Sequence, residues 1–219
     1  MLDKQSGAGG GLSVKICGIT NLEDARAAIA CGADALGFNF FPGSKRYINP
    51  QAEGEWMAKL PGTVCKIAVL VNPTWEEAIA AAALNFVDAL QLHGEETPEF
   101  CRRLADRGIQ FAKALPVRKG GLLAAIPDFA TDTVLLDSAS RRGFGGSGET
   151  FPWVVGRQFV SDHPNLRVIL AGGLTPENVA KAVADAAPFG VDVTTGVEKS
   201  PGRKDPVRLR AFFAALGRG

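Results

Sequence analysis

Short apolar segments alternate with amphipathic ones along almost the whole chain, and that alternation restricts the fold more than any other property. The apolar runs fall at residues 13–17, 35–40, 64–71, 87–92, 109–113, 133–136, 167–170 and 191–193. They are short and rich in β-branched residues, as expected of strands buried on both faces of a parallel sheet. Helical stretches at 22–31, 51–60, 75–84, 99–107, 121–126, 151–160, 176–186 and 206–216 lie between and after them. Their starts carry capping signals. Thr20-Asn21-Leu22-Glu23 and Thr74-Trp75-Glu76-Glu77 fit the reciprocal Thr/Glu capping box. Thr97-Pro98, Thr175-Pro176 and Asp205-Pro206 place a capping oxygen before a proline at the first helical position. Gly32 and Gly108 fall where helices end, at positions that favour a left-handed residue.

Eight strand–helix units predict an α/β fold, a single-domain (β/α)8 TIM barrel. A doubly wound open sheet is the alternative, and no G-x-G-x-x-G follows the first strand to support a dinucleotide-binding version of it. The chain has 219 residues, 46% of them hydrophobic, which is ample for one core. The glycine-rich, polar residues 1–11 read as a disordered N-terminal extension, and residues 12–219 as the catalytic barrel.

Charge narrows the partners. With 24 basic and 23 acidic residues the net charge is +1, so no electrostatic case arises for nucleic acid or a membrane surface. No apolar run approaches the ~20 residues of a membrane helix. The cysteines are Cys17, Cys31, Cys65 and Cys101, without a C-x-x-C pair or a histidine at ligand spacing, so no metal site is expected. Without a secretory signal, a cytoplasmic protein with reduced thiols is the expectation. Cys31, Cys65 and Cys101 read as small core residues.

In a barrel of this kind the chemistry belongs at the carboxyl ends of the strands. Cys17 ends the first strand and Asp137 the sixth, a thiol and a carboxyl that could supply one base and one acid. Asn39, Arg46, Asn72, Gln91 and His93 fall at or after the ends of the second to fourth strands. Three glycine-bearing turns follow downstream: Gly145-Gly146-Ser147-Gly148, Ala171-Gly172-Gly173 and Thr194-Thr195-Gly196. Such turns offer backbone N–H groups to a phosphate, and Gly172-Gly173 lead towards a helix start at Thr175-Pro176. The set predicts proton-transfer chemistry on a phosphorylated small molecule. Strand alternation adds one contact. If Cys17 points into the mouth, Lys15 points inward one layer below, where Asp192 on the neighbouring eighth strand can meet it.

The motifs run in order through the chain: Val14-Lys15-Ile16-Cys17-Gly18-Ile19-Thr20, Gly37-Phe38-Asn39-Phe40-Phe41-Pro42, Ser44-Lys45-Arg46-Tyr47-Ile48, Val71-Asn72-Pro73, Leu90-Gln91-Leu92-His93-Gly94 and Leu135-Leu136-Asp137-Ser138. The Gly145 turn, residues 171–179 and residues 190–198 complete the series. Together they resemble the phosphoribosylanthranilate isomerase family of tryptophan biosynthesis, from Val14 to the C-terminus. The resemblance implies a cofactor-free Amadori rearrangement of N-(5′-phosphoribosyl)anthranilate to 1-(2-carboxyphenylamino)-1-deoxyribulose 5-phosphate, with neither metal nor PLP. It implies Cys17 as general base, Asp137 as general acid and Arg46 as the partner of the anthranilate carboxylate. Backbone N–H groups near Gly146, Gly172, Gly173 and Gly196 would take the phosphate, with a hydroxyl from Thr195. Gln91 and His93 would line the pocket, His93 with or without direct contact to substrate. The family often has serines where this chain has Thr194-Thr195, so those side-chain contacts are the least transferable. Monomer and homodimer both occur in the family, and both remain open.

Rival readings are a carbon–carbon lyase on a related indole-pathway phosphate, a histidine-pathway sugar isomerase, and a non-catalytic phosphate-binding barrel. The lyase would be expected to use a lysine and glutamates at strand ends, and the sugar isomerase two aspartates; Cys17 fits neither.

Overall fold

A computed structural model describes residues 11–117, 127–138 and 153–218. Eight parallel strands close into a barrel in sequential order: β1 (Ser13–Cys17), β2 (Ala35–Asn39), β3 (Cys65–Leu70), β4 (Ala89–Leu92), β5 (Phe111–Val117), β6 (Thr133–Ser138), β7 (Arg167–Leu170) and β8 (Gly190–Val193). The helices α1 (Leu22–Ala30), α2 (Pro50–Ala58), α3 (Trp75–Ala82), α4 (Pro98–Asp106), α5 (Trp153–Asp162), α6 (Val179–Ala186) and α7 (Pro206–Ala215) follow β1–β4 and β6–β8 in turn. A two-stranded hairpin, β9 (Glu198–Ser200) and β10 (Arg203–Lys204), lies between β8 and α7.

Alternate residues of each strand face two different cores. Ala35, Cys65, Ile67, Ala114, Leu135, Ile169 and Ala171 cluster together as the barrel filling. Val14, Ile16, Leu36, Phe38, Leu136, Leu170 and Val191 join the helix residues Ala25, Ala28, Met57, Ala182, Phe212 and Phe213 in the layer between sheet and helices. Both faces of the strands are buried, which is why the strands read as near-continuous apolar runs. A fully buried side chain such as Phe212 contributes roughly 1.5–3 kcal/mol relative to exposure.

Several local expectations shift. The cap of α1 is Asn21, whose side chain accepts from Asp24 N; Thr20 instead donates its hydroxyl to Gly202 O at 2.5 Å. The hydroxyl is drawn off by the β9–β10 hairpin, a tertiary contact that local sequence does not encode. The Thr74 capping box and the caps at Thr97 and Asp205 form as expected. Helix α6 begins at Val179 rather than residue 176, because Thr175–Asn178 is a separate turn in which Asn178 Oδ1 accepts from Thr175 N. Strand β5 runs on to Val117 through Pro116, beyond the expected end at residue 113. Gly32 and Gly108 adopt the left-handed conformation expected of them. Most of the expected N-terminal extension, the expected helix at 121–126 and the whole Gly145–Gly148 turn with Gly146 lie outside the described residues.

Candidate active site

Strand β1 delivers Cys17 to the carboxyl end of the barrel, 8% exposed. Its neighbour across the β1–β2 ladder is Gly37, and the absence of a side chain there makes room for two groups. A Cβ on Gly37 would sit 2.7 Å from Cys17 Sγ and 2.9 Å from Lys15 Nζ. Lys15 lies inside the barrel, 3.0 Å from Asp192 Oδ1, with β1 and β8 in register at those two residues. The contact expected from strand alternation is therefore present. Burial pulls the Lys15 ammonium down, but the attraction of Asp192 and Cys17 outweighs it, so its pKa lies above the ordinary value.

On β6, three strands round the barrel from β1 by way of β8 and β7, Asp137 reaches the same end, also 8% exposed. His93, just past β4, brings Nε2 to 3.0 Å from Asp137 Oδ2. Gln91 Nε2 lies 2.8 Å from His93 Nδ1. With the amide assigned in that orientation, Nδ1 accepts and the ring proton sits on Nε2, directed at Asp137. The period of two along β4 puts Gln91 and His93 on the same inner face, so the strand itself builds the Gln91–His93–Asp137 chain. Gly172 closes over it from the β7 turn at φ +79°; a Cβ there would approach Ser138 and lie 2.7 Å from Asp137 Oδ1.

Arg46, in the loop after β2, crosses over the turn that follows Cys17. Its Cδ lies 2.6 Å from where a side chain on Gly18 would begin. The guanidinium is held side-on by Glu198, with Nε donating to Oε1 at 2.9 Å and Nη2 to Oε2 at 2.7 Å. That pairing raises the Arg46 pKa above its usual value. Glu198 also accepts from Lys204 Nζ at 3.1 Å, and Lys204 in turn donates to Cys17 O at 2.5 Å and Thr194 O at 3.4 Å. Burial lowers the Lys204 pKa despite Glu198. For Glu198, burial acts upward, yet Arg46 and Lys204 prevail and its pKa falls below the ordinary value.

The turns after β7 and β8 pack on one another. Gly196, in a short 3-10 turn at Thr195–Val197, lies so close to the Leu174 carbonyl that no side chain fits there. Arg208 on α7 fixes that turn by donating Nε to Gly196 O at 2.7 Å. Gly173 accepts from Asn178 Nδ2 at 2.9 Å. The structure thus brings Gly172, Gly173, Thr195 and Gly196 to the same end as Cys17 and Asp137. Asn72, in the loop after β3 at this same end, is exposed at φ 48°, and its Oδ1 accepts from Glu95 N, tying together the loops after β3 and β4. Asn39 caps its own loop through Phe41 N.

Sequence reasoning assigned no role to Glu198 or Lys204. The signal was the Pro201-Gly202 turn flanked by charged residues, which announces a hairpin just after the eighth strand. Cys101 lies in the core, where burial pushes its thiol up to about 11, whereas Cys31, expected as a core residue, is only partly buried because it caps the end of α1 at the edge of the core. No group of His, Cys, Asp or Glu among the described residues is arranged to hold a metal, and no described helix is long and apolar enough to cross a membrane.

A closed parallel barrel with a thiol, a carboxyl and an arginine at the carboxyl ends of its strands has the layout of a (β/α)8 enzyme. The family model described as "N-(5'phosphoribosyl)anthranilate (PRA) isomerase" matches residues 14–215. An N-(5'-phosphoribosyl)anthranilate isomerase of Citrifermentans bemidjiense is 46% identical over 201 residues, covering 92% of this chain and 95% of the relative. The crystal structure of the phosphoribosyl anthranilate isomerase from Thermus thermophilus superposes with a TM-score of 0.83 at 38% identity, over 94% of this chain and 98% of that one. Another phosphoribosyl anthranilate isomerase, solved in complex with reduced 1-(o-carboxyphenylamino)-1-deoxyribulose 5-phosphate, superposes with a TM-score of 0.78 at 37% identity, over 94% of this chain and 98% of that one. This chain belongs to the N-(5′-phosphoribosyl)anthranilate isomerase family.

Proposed function

We propose that this chain isomerises N-(5′-phosphoribosyl)anthranilate to 1-(2-carboxyphenylamino)-1-deoxyribulose 5-phosphate in tryptophan biosynthesis, with Cys17 as general base and Asp137 as general acid. The observation that carries the assignment is the convergence of Cys17 on β1 and Asp137 on β6 at one barrel mouth, Asp137 with His93 at 3.0 Å and Cys17 one layer above the Lys15–Asp192 pair.

Asp137 gives a proton to the ribose ring oxygen as the C1–O bond breaks, and the anilino nitrogen's lone pair forms the iminium. Cys17 then takes the proton from C2, and the C2–H electron pair flows into the C1–C2 bond to give the enolamine. Tautomerisation moves a proton from the C2 hydroxyl to C1 and leaves the ketone. The iminium is the electron sink, so the residues of this chain suffice for every step. His93 and Gln91 fix the Asp137 carboxyl in place. Arg46 binds the anthranilate carboxylate, a planar anion suited to its fork. Backbone N–H groups near Gly172, Gly173 and Gly196, with the Thr195 hydroxyl, take the 5-phosphate. The same reading includes Gly146, which lies outside the described residues.

The reading places the protein in the cytoplasm with its cysteines reduced, and Cys17, Cys31 and Cys101 are free thiols. One Thermotoga maritima relative is described as dimeric, and sedimentation decides whether this chain pairs likewise. The test of the reaction is an assay of the purified protein that follows the loss of anthranilate fluorescence. Conversion supports the reading, and an unchanged signal with fresh substrate removes it.

A further inference from the structure

We propose that Glu198 is a positioning residue for Arg46: it occupies the Nε/Nη2 edge of the guanidinium and thereby leaves the Nη1/Nη2 edge, beside the turn after Cys17, to receive the carboxylate of the substrate. The inference rests on the proposed role of Arg46 and names what orients it. A guanidinium offers two edges for bidentate pairing. In this molecule Nε and one of the two Nη2 hydrogens face Glu198, while Nη1 has no partner among the described residues.

Burial and charge both favour an orienting role over that of a blocker displaced by substrate. The Glu198 side chain is only 3% exposed and has three separate attachments: Arg46, Lys204 and the N–H of Gly202 at 3.2 Å. Displacing it would leave a buried carboxylate and the buried Lys204 without proper partners, which is costly. The trio of Arg46, Lys204 and Glu198 carries one positive charge in excess. An incoming carboxylate is therefore attracted with Glu198 still in place. The mounting is rigid as well. Lys204, on the other strand of the hairpin, bonds to Cys17 O and Thr194 O, so the hairpin that holds Arg46 is fastened to the ends of β1 and β8. One buried carboxylate thus couples the proposed carboxylate-binding arginine to the strand end that bears the proposed base.

The test compares two ligands by calorimetry: the product analogue reduced 1-(o-carboxyphenylamino)-1-deoxyribulose 5-phosphate, and its counterpart lacking the ring carboxylate. Glu198→Asp keeps the charge but withdraws it by one methylene. Binding of the carboxylated analogue is expected to weaken about tenfold, with the counterpart unchanged within about twofold. Arg46→Ala is expected to abolish the preference for the carboxylated ligand, with no further loss when Glu198→Asp is added. Unchanged or tighter binding of the carboxylated analogue to Glu198→Asp overturns the proposal, the latter by showing a blocker. Equal weakening of both ligands overturns it too, by showing a merely structural role. Should Arg46→Ala keep the full preference, the role of Arg46 itself fails and this proposal with it. That outcome is distinct from one in which Arg46→Ala loses the preference and Glu198→Asp does not.

Discussion

Lys15 Nζ and Asp192 Oδ1 lie 3.0 Å apart inside the barrel, one layer below Cys17, on strands whose register sets the two residues side by side. Neither charge could remain there alone. Lys15→Met strands the carboxylate, and Asp192→Leu strands the ammonium. Each single variant is expected to lose about 3–5 kcal/mol of stability in urea titrations, while the double variant recovers most of the loss. Additive losses in the double variant would contradict the pairing.

Glu198 gives a prediction in acid. Its folded pKa lies below the ordinary 4.5 because Arg46 and Lys204 outweigh burial. A depressed carboxylate contributes stability that is full above its unfolded pKa and is lost as pH falls through the folded one. The stability difference between wild type and Glu198→Gln should therefore be constant from about pH 7 to 5 and shrink towards zero below about pH 4.5. Denaturant midpoints across that range check it; a difference that stays level to pH 3 would show that Glu198 does not titrate there.

Gly172→Ala is expected to act on both stability and turnover. Its backbone sits at φ +79°, and the added methyl would lie 2.7 Å from Asp137 Oδ1. Strain at such a position costs about 1–3 kcal/mol. Turnover should fall by at least tenfold through displacement of Asp137, since about 1 Å of misplacement can cost a hundredfold. Wild-type turnover in a folded Gly172→Ala protein would separate the turn from the carboxyl.

Much of this was legible in the sequence. Strands buried on both faces announce themselves as apolar runs, so β1 and β7 are found to the residue, and the period of two was enough to bring Lys15 to Asp192. Cys17, Asp137, Gln91 and His93 could be read as residues at one end of the barrel because each stands at or near a strand end. What escaped depends on contacts between distant segments. The Thr20 hydroxyl goes to Gly202 rather than to the first turn of α1, and Glu198 pairs with Arg46 across 152 positions. Hydrogen bonds of that range leave no local periodicity to read. Nothing in its local sequence marks Lys204, whose ammonium is fully buried beneath Cys17.

His93 bonds to Asp137 and is itself fixed by Gln91. His93→Leu removes the bond and keeps the bulk. The turnover number is expected to fall about tenfold or more with KM changed far less, because the lost contact orients the proposed acid rather than the substrate. Steady-state kinetics at several pH values reads the split. A rise in KM at constant turnover would instead place His93 on the substrate.

The most direct measurement is the rate of anthranilate fluorescence loss for three purified proteins: wild type, Cys17→Ser and Asp137→Asn, each shown to be folded by circular dichroism. Steady conversion by wild type is expected, with each variant slower by about three orders of magnitude or more, as for loss of a positioned acid or base. Near-normal turnover in either folded variant would contradict the pairing of a thiol base with a carboxylic acid on which the account stands.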